Sequence, residues 1–264
     1  MKLAIAGKGG VGKTTLTALL ARQAVANGYK VLTVDADPDS NLAGALGFAE
    51  TERLSPISEM HDLIAERTGA TQGSYGSYFK LNPQVDDIPD RFCLEKDGIK
   101  LMVMGTVTKG GGGCICPEST LVKALISHLL LRRDELVILD MEAGIEHLGR
   151  GTAQAVDALL VVVEPSLRAI ETAFRVKRLV EGIGIKRVWA IGNKIRSQAD
   201  CQFIEEKATG IEVIGFIPFK ESLLESSRED NGPCSDADIT GAVRQILETL
   251  QNKILPRDGL KSKV

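Results

Sequence analysis

Residues 7–15 read Gly7-Lys8-Gly9-Gly10-Val11-Gly12-Lys13-Thr14-Thr15. They follow a short apolar stretch, Leu3-Ala4-Ile5-Ala6, and lead into a helical pattern from Leu16 to Ala26. Strand, glycine-rich loop and helix in that order are the setting in which a G-x-x-x-x-G-K-[ST] match has mechanical meaning. The glycines let successive backbone N–H groups turn inward around a polyphosphate without Cβ clashes. The helix N-terminus adds partial positive charge. Residues Gly7, Lys8, Gly9, Gly10, Val11, Gly12, Lys13, Thr14 and Thr15 are therefore expected to cradle a nucleotide's phosphates. Lys13 reaches the β- and γ-phosphates, and the Thr14 hydroxyl takes a place on Mg²⁺.

Outward from that loop, apolar runs alternate with helix-length amphipathic stretches, the signature of a parallel sheet covered on both faces. Strands are expected at 2–6, 31–35, 100–104, 136–140, 158–163, 187–192 and 212–217. Leu136-Val137-Ile138-Leu139 and Leu159-Leu160-Val161-Val162-Val163 are continuously apolar, as strands buried on two faces should be. Helices are expected at 13–27, 58–67, 119–132, 168–182, 200–208 and 236–253. Segment 69–99 breaks the rhythm and reads as a surface excursion, not a second domain. The expectation is a single α/β domain over 1–254, with about seven strands in a mostly parallel sheet, and a loose tail over 255–264.

Composition narrows the function classes. A formal charge of −3 argues against chain-wide affinity for nucleic acid, whose binders usually carry a basic face. No apolar run approaches the length of a membrane span, and a strand beginning at residue 2 leaves no room for a signal peptide. A cytoplasmic protein is the expectation. Five cysteines in such a chain point to metal or buried thiols more than to disulfides.

Asp35-Ala36-Asp37-Pro38-Asp39-Ser40-Asn41 ends the second strand, placing carboxylates beside the phosphates at the carboxyl edge of the sheet. Ser40 or Asp39 could cap the helix that follows. Asp140 ends the most apolar strand and precedes Met141-Glu142-Ala143-Gly144, an arrangement that holds Mg²⁺ directly or through water. His147, just beyond, reads as a surface histidine.

The second distinctive run is Gly110-Gly111-Gly112-Gly113-Cys114-Ile115-Cys116-Pro117-Glu118. Thiols at i and i+2 of an extended segment face the same way. A closed thiolate site wants four ligands, while Cys93, Cys201 and Cys234 stand apart in sequence. A twofold axis supplies the missing pair, with Cys114 and Cys116 of two chains making one four-sulfur site for zinc or nickel.

Lys8, a second lysine inside the loop, makes the chain resemble the deviant Walker A ATPases: the nitrogenase iron protein, the septum-site and chromosome-partition ATPases, and the arsenite-pump ATPase. The resemblance implies that Lys8 crosses a dimer interface and stabilises charge on the partner's transferring phosphoryl group. It implies that Asp37 is the switch I aspartate, orienting and deprotonating water or touching Mg²⁺ through water. It also implies that Asn193 and Lys194, with Pro218 and Phe219, lie at the adenine of ATP. The aspartate that guanine would need after Asn193-Lys194-Ile195-Arg196 is missing. With the C-x-C pair, the resemblance narrows to the CooC-type nickel-insertion accessory ATPases of carbon monoxide dehydrogenase and the related acetyl-CoA synthase. That implies catalytic Lys8, Lys13 and Asp37, and Mg²⁺ at Thr14, Asp37 and Asp140. It further implies a homodimer with Ni²⁺ or Zn²⁺ at Cys114 and Cys116, and a nickel-enzyme client rather than nucleic acid or membrane. Two alternatives remain. An iron–sulfur electron carrier would need a switch II cysteine where Ala143 stands. A partition or positioning ATPase that binds membranes would need a basic amphipathic tail, where this one has Pro256 and Gly259.

Overall fold

The computed structural model describes residues 1–37, 40–48, 54–70, 78–105, 116–132, 135–142, 155–228 and 236–254. Its sheet runs β3-β4-β2-β5-β1-β6-β7-β8. The strands are β1 (Lys2–Gly7), β2 (Val31–Asp35), β3 (Leu94–Lys96), β4 (Ile99–Val103), β5 (Leu136–Asp140), β6 (Ala158–Val163), β7 (Val188–Ile195) and β8 (Glu212–Pro218). Every pairing is parallel except β3 with β4. Sequence periodicity anticipates seven strands and the sheet has eight. The addition is β3, a three-residue edge strand with only Leu94 partly buried, which turns back through Asp97 and Gly98, both at positive φ. A strand that short has no period to read.

The helices are α1 (Lys13–Ala26), α2 (Leu42–Leu46), α3 (His61–Thr68), α4 (Ile88–Phe92), α5 (Pro117–Arg132), α6 (Leu167–Ile183), α7 (Gln198–Lys207), α8 (Glu221–Arg228) and α9 (Ala237–Ile254). Segment 69–99 thus holds α4 and β3 as well as loop, so the plain surface excursion was too simple. The expected tail 255–264 lies outside the described residues.

Central strands bury every residue on both faces, which is why their sequences show no alternation. Helix α1 covers the sheet with Leu16, Leu20, Ala21 and Ala24, all fully buried. Helix α9 sets Ile239, Val243, Ile246, Leu247 and Leu250 on one stripe at helical spacing and packs them on β8 and α1. Burying side chains of that size contributes about 1.5–3 kcal/mol each, before chain entropy is counted.

Strand β1 lies at the centre, between β5 and β6. Its crossover leads to one side of the sheet, towards β2, whereas the chain after β5 passes to the other side, to β6. Beyond the carboxyl ends of the strands such a reversal opens a crevice. The loop after β1 sits there.

Candidate phosphate-loop site

The loop leaves β1 at Gly7, where a Cβ would lie 2.6 Å from the Val162 carbonyl oxygen, so no larger residue fits. At the other end Gly12 caps α1 in the left-handed region, with φ 97°. A Cβ there would stand 2.2 Å from Asn193 Nδ2. Between them Gly9 and Gly10 are exposed and open. Helix α1 starts at Lys13 itself, so the unpaired N–H groups of its first turn face the loop's concavity.

Lys13 is only 8% exposed, and its Nζ lies 3.7 Å from Asp37 Oδ2. Asp140 ends β5, in register with Asp35 at the end of β2 and with Ile5 of β1. Both carboxylate oxygens of Asp140 are buried without a hydrogen-bond partner among the described residues. Burial pushes its pKa up to about 7; the nearby Thr14 hydroxyl draws it down, Asp35 raises it and Lys13 lowers it. A buried carboxylate with no donor costs several kcal/mol unless a cation completes it. Oxygen donors from Thr14, Asp37 and Asp140 suit Mg²⁺, which takes one or two side chains and fills its shell with phosphate and water. Among the described residues no three carboxylate, thiol or imidazole groups form a cage of their own.

Asp35 is a functional residue that the sequence reading passed over in favour of Asp37. Its Oδ1 accepts from the Asp37 N–H at 3.2 Å and its Oδ2 from the Leu42 N–H at 3.1 Å. Burial pushes its pKa up to about 6, while these two amides pull the other way. Asp35 therefore ties both ends of the turn that carries Asp37. This replaces the expected cap: Ser40 Oγ donates back to the Asp37 carbonyl at 3.3 Å, and Asn41, at the N-cap of α2, makes no side-chain capping bond. Asp39 lies outside the described residues. The sheet-edge rule could have found Asp35, since it is the first carboxylate met at the end of the buried strand β2.

Asn193 and Lys194 sit in an irregular stretch of β7. Asn193 Nδ2 donates to the Val11 carbonyl at 2.7 Å, and Lys194 Nζ to the Gly10 carbonyl at 2.7 Å. Lys194 has φ 60°, a conformation costing roughly 1–2 kcal/mol for a residue with a Cβ. Glu164, unremarked in the sequence reading, stands one residue past β6, with Oε2 3.1 Å from Lys194 Nζ and Oε1 3.9 Å from Lys8 Nζ. Pro218 ends β8, and the Phe219 N–H donates to the Ile195 carbonyl at 2.8 Å. The Arg196 guanidinium lies 4.4 Å from the Phe219 ring centre. Asn193, Lys194 and Glu164 thus touch the phosphate loop, whereas Phe219 meets the end of β7 at Ile195 and Arg196.

Cys116 immediately precedes α5, and the Ser119 N–H donates to its Sγ at 3.4 Å. Pro117 is the first helical residue, a position where its missing N–H is not needed. Cys114, the tetraglycine, Ala143, Gly144 and His147 lie outside the described residues. No described helix is long and apolar enough to cross a membrane.

Residues 2–233 match the CobQ/CobB/MinD/ParA nucleotide binding domain family. The carbon monoxide dehydrogenase accessory protein CooC of Rhodospirillum rubrum is 47% identical over 98% of each chain. An uncharacterised ATP-binding protein of Methanocaldococcus jannaschii is 48% identical over 86% of this chain and 88% of its own. Among solved structures, the septum site-determining protein MinD of Pyrococcus horikoshii complexed with Mg-ADP superposes with a TM-score of 0.66. It covers 100% of this chain and 99% of its own at 18% identity, a likeness of fold.

Proposed function

The chain belongs to the CobQ/CobB/MinD/ParA nucleotide-binding family, in its CooC-type group, and from that premise we propose that it is an ATP-hydrolysing accessory factor of the carbon monoxide dehydrogenase system. The observation that carries hydrolysis is Asp140: a buried, unpartnered carboxylate at a strand end, beside a phosphate loop whose Lys13 is paired with Asp37. Thr14, Asp37 and Asp140 would hold Mg²⁺, which when bound neutralises charge on the phosphates. Lys13 binds the β- and γ-phosphates, and displacement of its 3.7 Å contact with Asp37 frees that carboxylate to orient and deprotonate a water. Asn193, Pro218 and Phe219 hold the base side, which fits ATP, while Lys194, expected there too, has its ammonium on the Gly10 carbonyl and Glu164 instead. Lys8 serves the nucleotide of a second copy.

Nickel or zinc is cargo in this reading, shared by Cys114 and Cys116 of two chains. ATP favours the closed dimer through the γ-phosphate; hydrolysis removes that contact and loosens the thiolate set, so the ion passes to a nickel enzyme, carbon monoxide dehydrogenase or acetyl-CoA synthase. A ligand shifts a conformation only by its differential affinity for the two states, and here the γ-phosphate supplies the difference.

The test is anaerobic metal titration with and without ATP, read by gel filtration. About one ion per two chains is expected under four-thiolate ligation, falling to background in Cys114→Ser and Cys116→Ser. One ion per chain, or wild-type binding by either variant, removes the shared site. Lys13→Ala is expected to abolish hydrolysis, and unchanged turnover would remove the phosphate-loop assignment.

A further inference from the structure

The geometry points to Lys194, braced by Glu164, as a positioning residue that orients the phosphate loop from outside and acts on bound phosphate through the Gly10–Val11 peptide. This inference rests on the phosphate-loop reading above and adds to it a working part not on the base side but behind the loop.

Strands β6 and β7 pair with Val163 opposite Gly192, so Glu164, just past β6, stands beside Asn193 in the irregular stretch of β7. The next residue, Lys194, turns into the left-handed region at φ 60°. That turn brings Nζ to 2.7 Å from the Gly10 carbonyl oxygen and 3.1 Å from Glu164 Oε2. Asn193 makes the parallel bond to the next carbonyl, Val11, at 2.7 Å. Two consecutive loop carbonyls are thereby drawn to the β7 side.

In a trans peptide the C=O and the following N–H point opposite ways. Drawing the Gly10 and Val11 oxygens outward aims the Val11 and Gly12 N–H groups the other way, into the loop. The Val11 N–H spans a long 3.4 Å to the Lys8 carbonyl, a bond weak enough to yield to a phosphate oxygen. Lys194 Nζ is meanwhile committed to Gly10 and Glu164, so its charge is not directed at a base.

Glu164 needs an explanation of its own. A carboxylate at the mouth of a phosphate site repels the ligand. Its Oε1 faces Lys8 at 3.9 Å and Ser166 Oγ at 3.5 Å, and its Oε2 faces Lys194. Side chains this exposed form ion pairs that add little to stability. Fixing the Lys194 ammonium against the Gly10 carbonyl is a positional task, and it accounts for the charge.

The test compares Mg-ATP with inorganic tripolyphosphate, each displacing a fluorescent adenine nucleotide from the full chain, in wild type, Lys194→Gly and Glu164→Ala. Glycine suits the backbone at 194, so Lys194→Gly should melt no lower than wild type. Both ligands are expected to weaken by the same factor, about tenfold for Lys194→Gly and a few-fold for Glu164→Ala. Glu164→Ala separates a tether from simple charge: losing a carboxylate should tighten phosphate through space, whereas losing the brace weakens it. Tighter or unchanged binding in Glu164→Ala overturns the inference. So does loss of ATP affinity with tripolyphosphate unaffected, which would make Lys194 a base contact. If the wild-type chain binds neither ligand, the phosphate-loop reading falls and takes the tether with it.

Discussion

Asp140 is the residue where stability and function pull in opposite directions. Its buried oxygens make no well-formed hydrogen bond, with the Thr14 hydroxyl alone close enough to lower its pKa as a donor, and burial raises that pKa to about 7 from the ordinary carboxylate value. A carboxylate whose folded pKa is raised penalises the fold above that pKa, and the penalty fades as pH falls towards its unfolded value. In the nucleotide-free, metal-free chain, Asp140→Asn is therefore expected to raise stability by about 1–3 kcal/mol at pH 8. The gain should shrink by pH 5, as wild-type Asp140 takes up its proton. Hydrolysis should be lost in the same variant. Denaturant melts at the two pH values check this; an apo chain destabilised at both would mean that Asp140 has a partner in the fold.

Among elements, the turn from β2 into α2 is the informative one. Two amides, of Asp37 and Leu42, converge on the single side chain of Asp35, so the turn's shape depends on one carboxylate with two acceptor oxygens. Asp35→Asn keeps one acceptor and replaces the other with a donor. Its expected effect is on the residue the turn carries: kcat falls about tenfold while nucleotide affinity stays within about twofold, because the loop and α1 are untouched. Single-turnover hydrolysis alongside equilibrium nucleotide binding measures the split. Parallel loss of affinity and rate would show that Asp35 supports the whole site and not Asp37 in particular.

For the whole molecule the open question is assembly. Lys8, 39% exposed and 3.9 Å from Glu164, has a loose partner within its own chain. A contact that long and that exposed is worth about 0–1 kcal/mol, little resistance to a γ-phosphate on another copy. Lys8→Ala is expected to bind ATP nearly as wild type yet stay monomeric with ATP, where wild type doubles its mass by light scattering. A wild-type chain that remains monomeric in every nucleotide state would remove both the trans role of Lys8 and the shared thiolate site.

The central strands announce themselves as nearly unbroken apolar runs and the outer parallel strands as largely apolar stretches between turn residues, so seven of eight strands and the site's edge of the sheet follow from local chemistry. Edge strand β3 escapes because three residues, two of them exposed, carry no pattern. The phosphate loop is legible for the same reason that it works: glycine at 7 and 12, where a Cβ would strike Val162 or Asn193, is a local requirement written in residue type. Asp140 is legible as a charge closing an apolar run. What sequence alone determined is therefore the set of residues whose own backbone or burial demands them. Only the folded chain decided what Glu164, Asn193 and Lys194 touch. Their partners stand up to 184 positions away, as with Lys194 and Gly10, and are met through the register of neighbouring strands, a property of the assembled sheet that no local stretch contains.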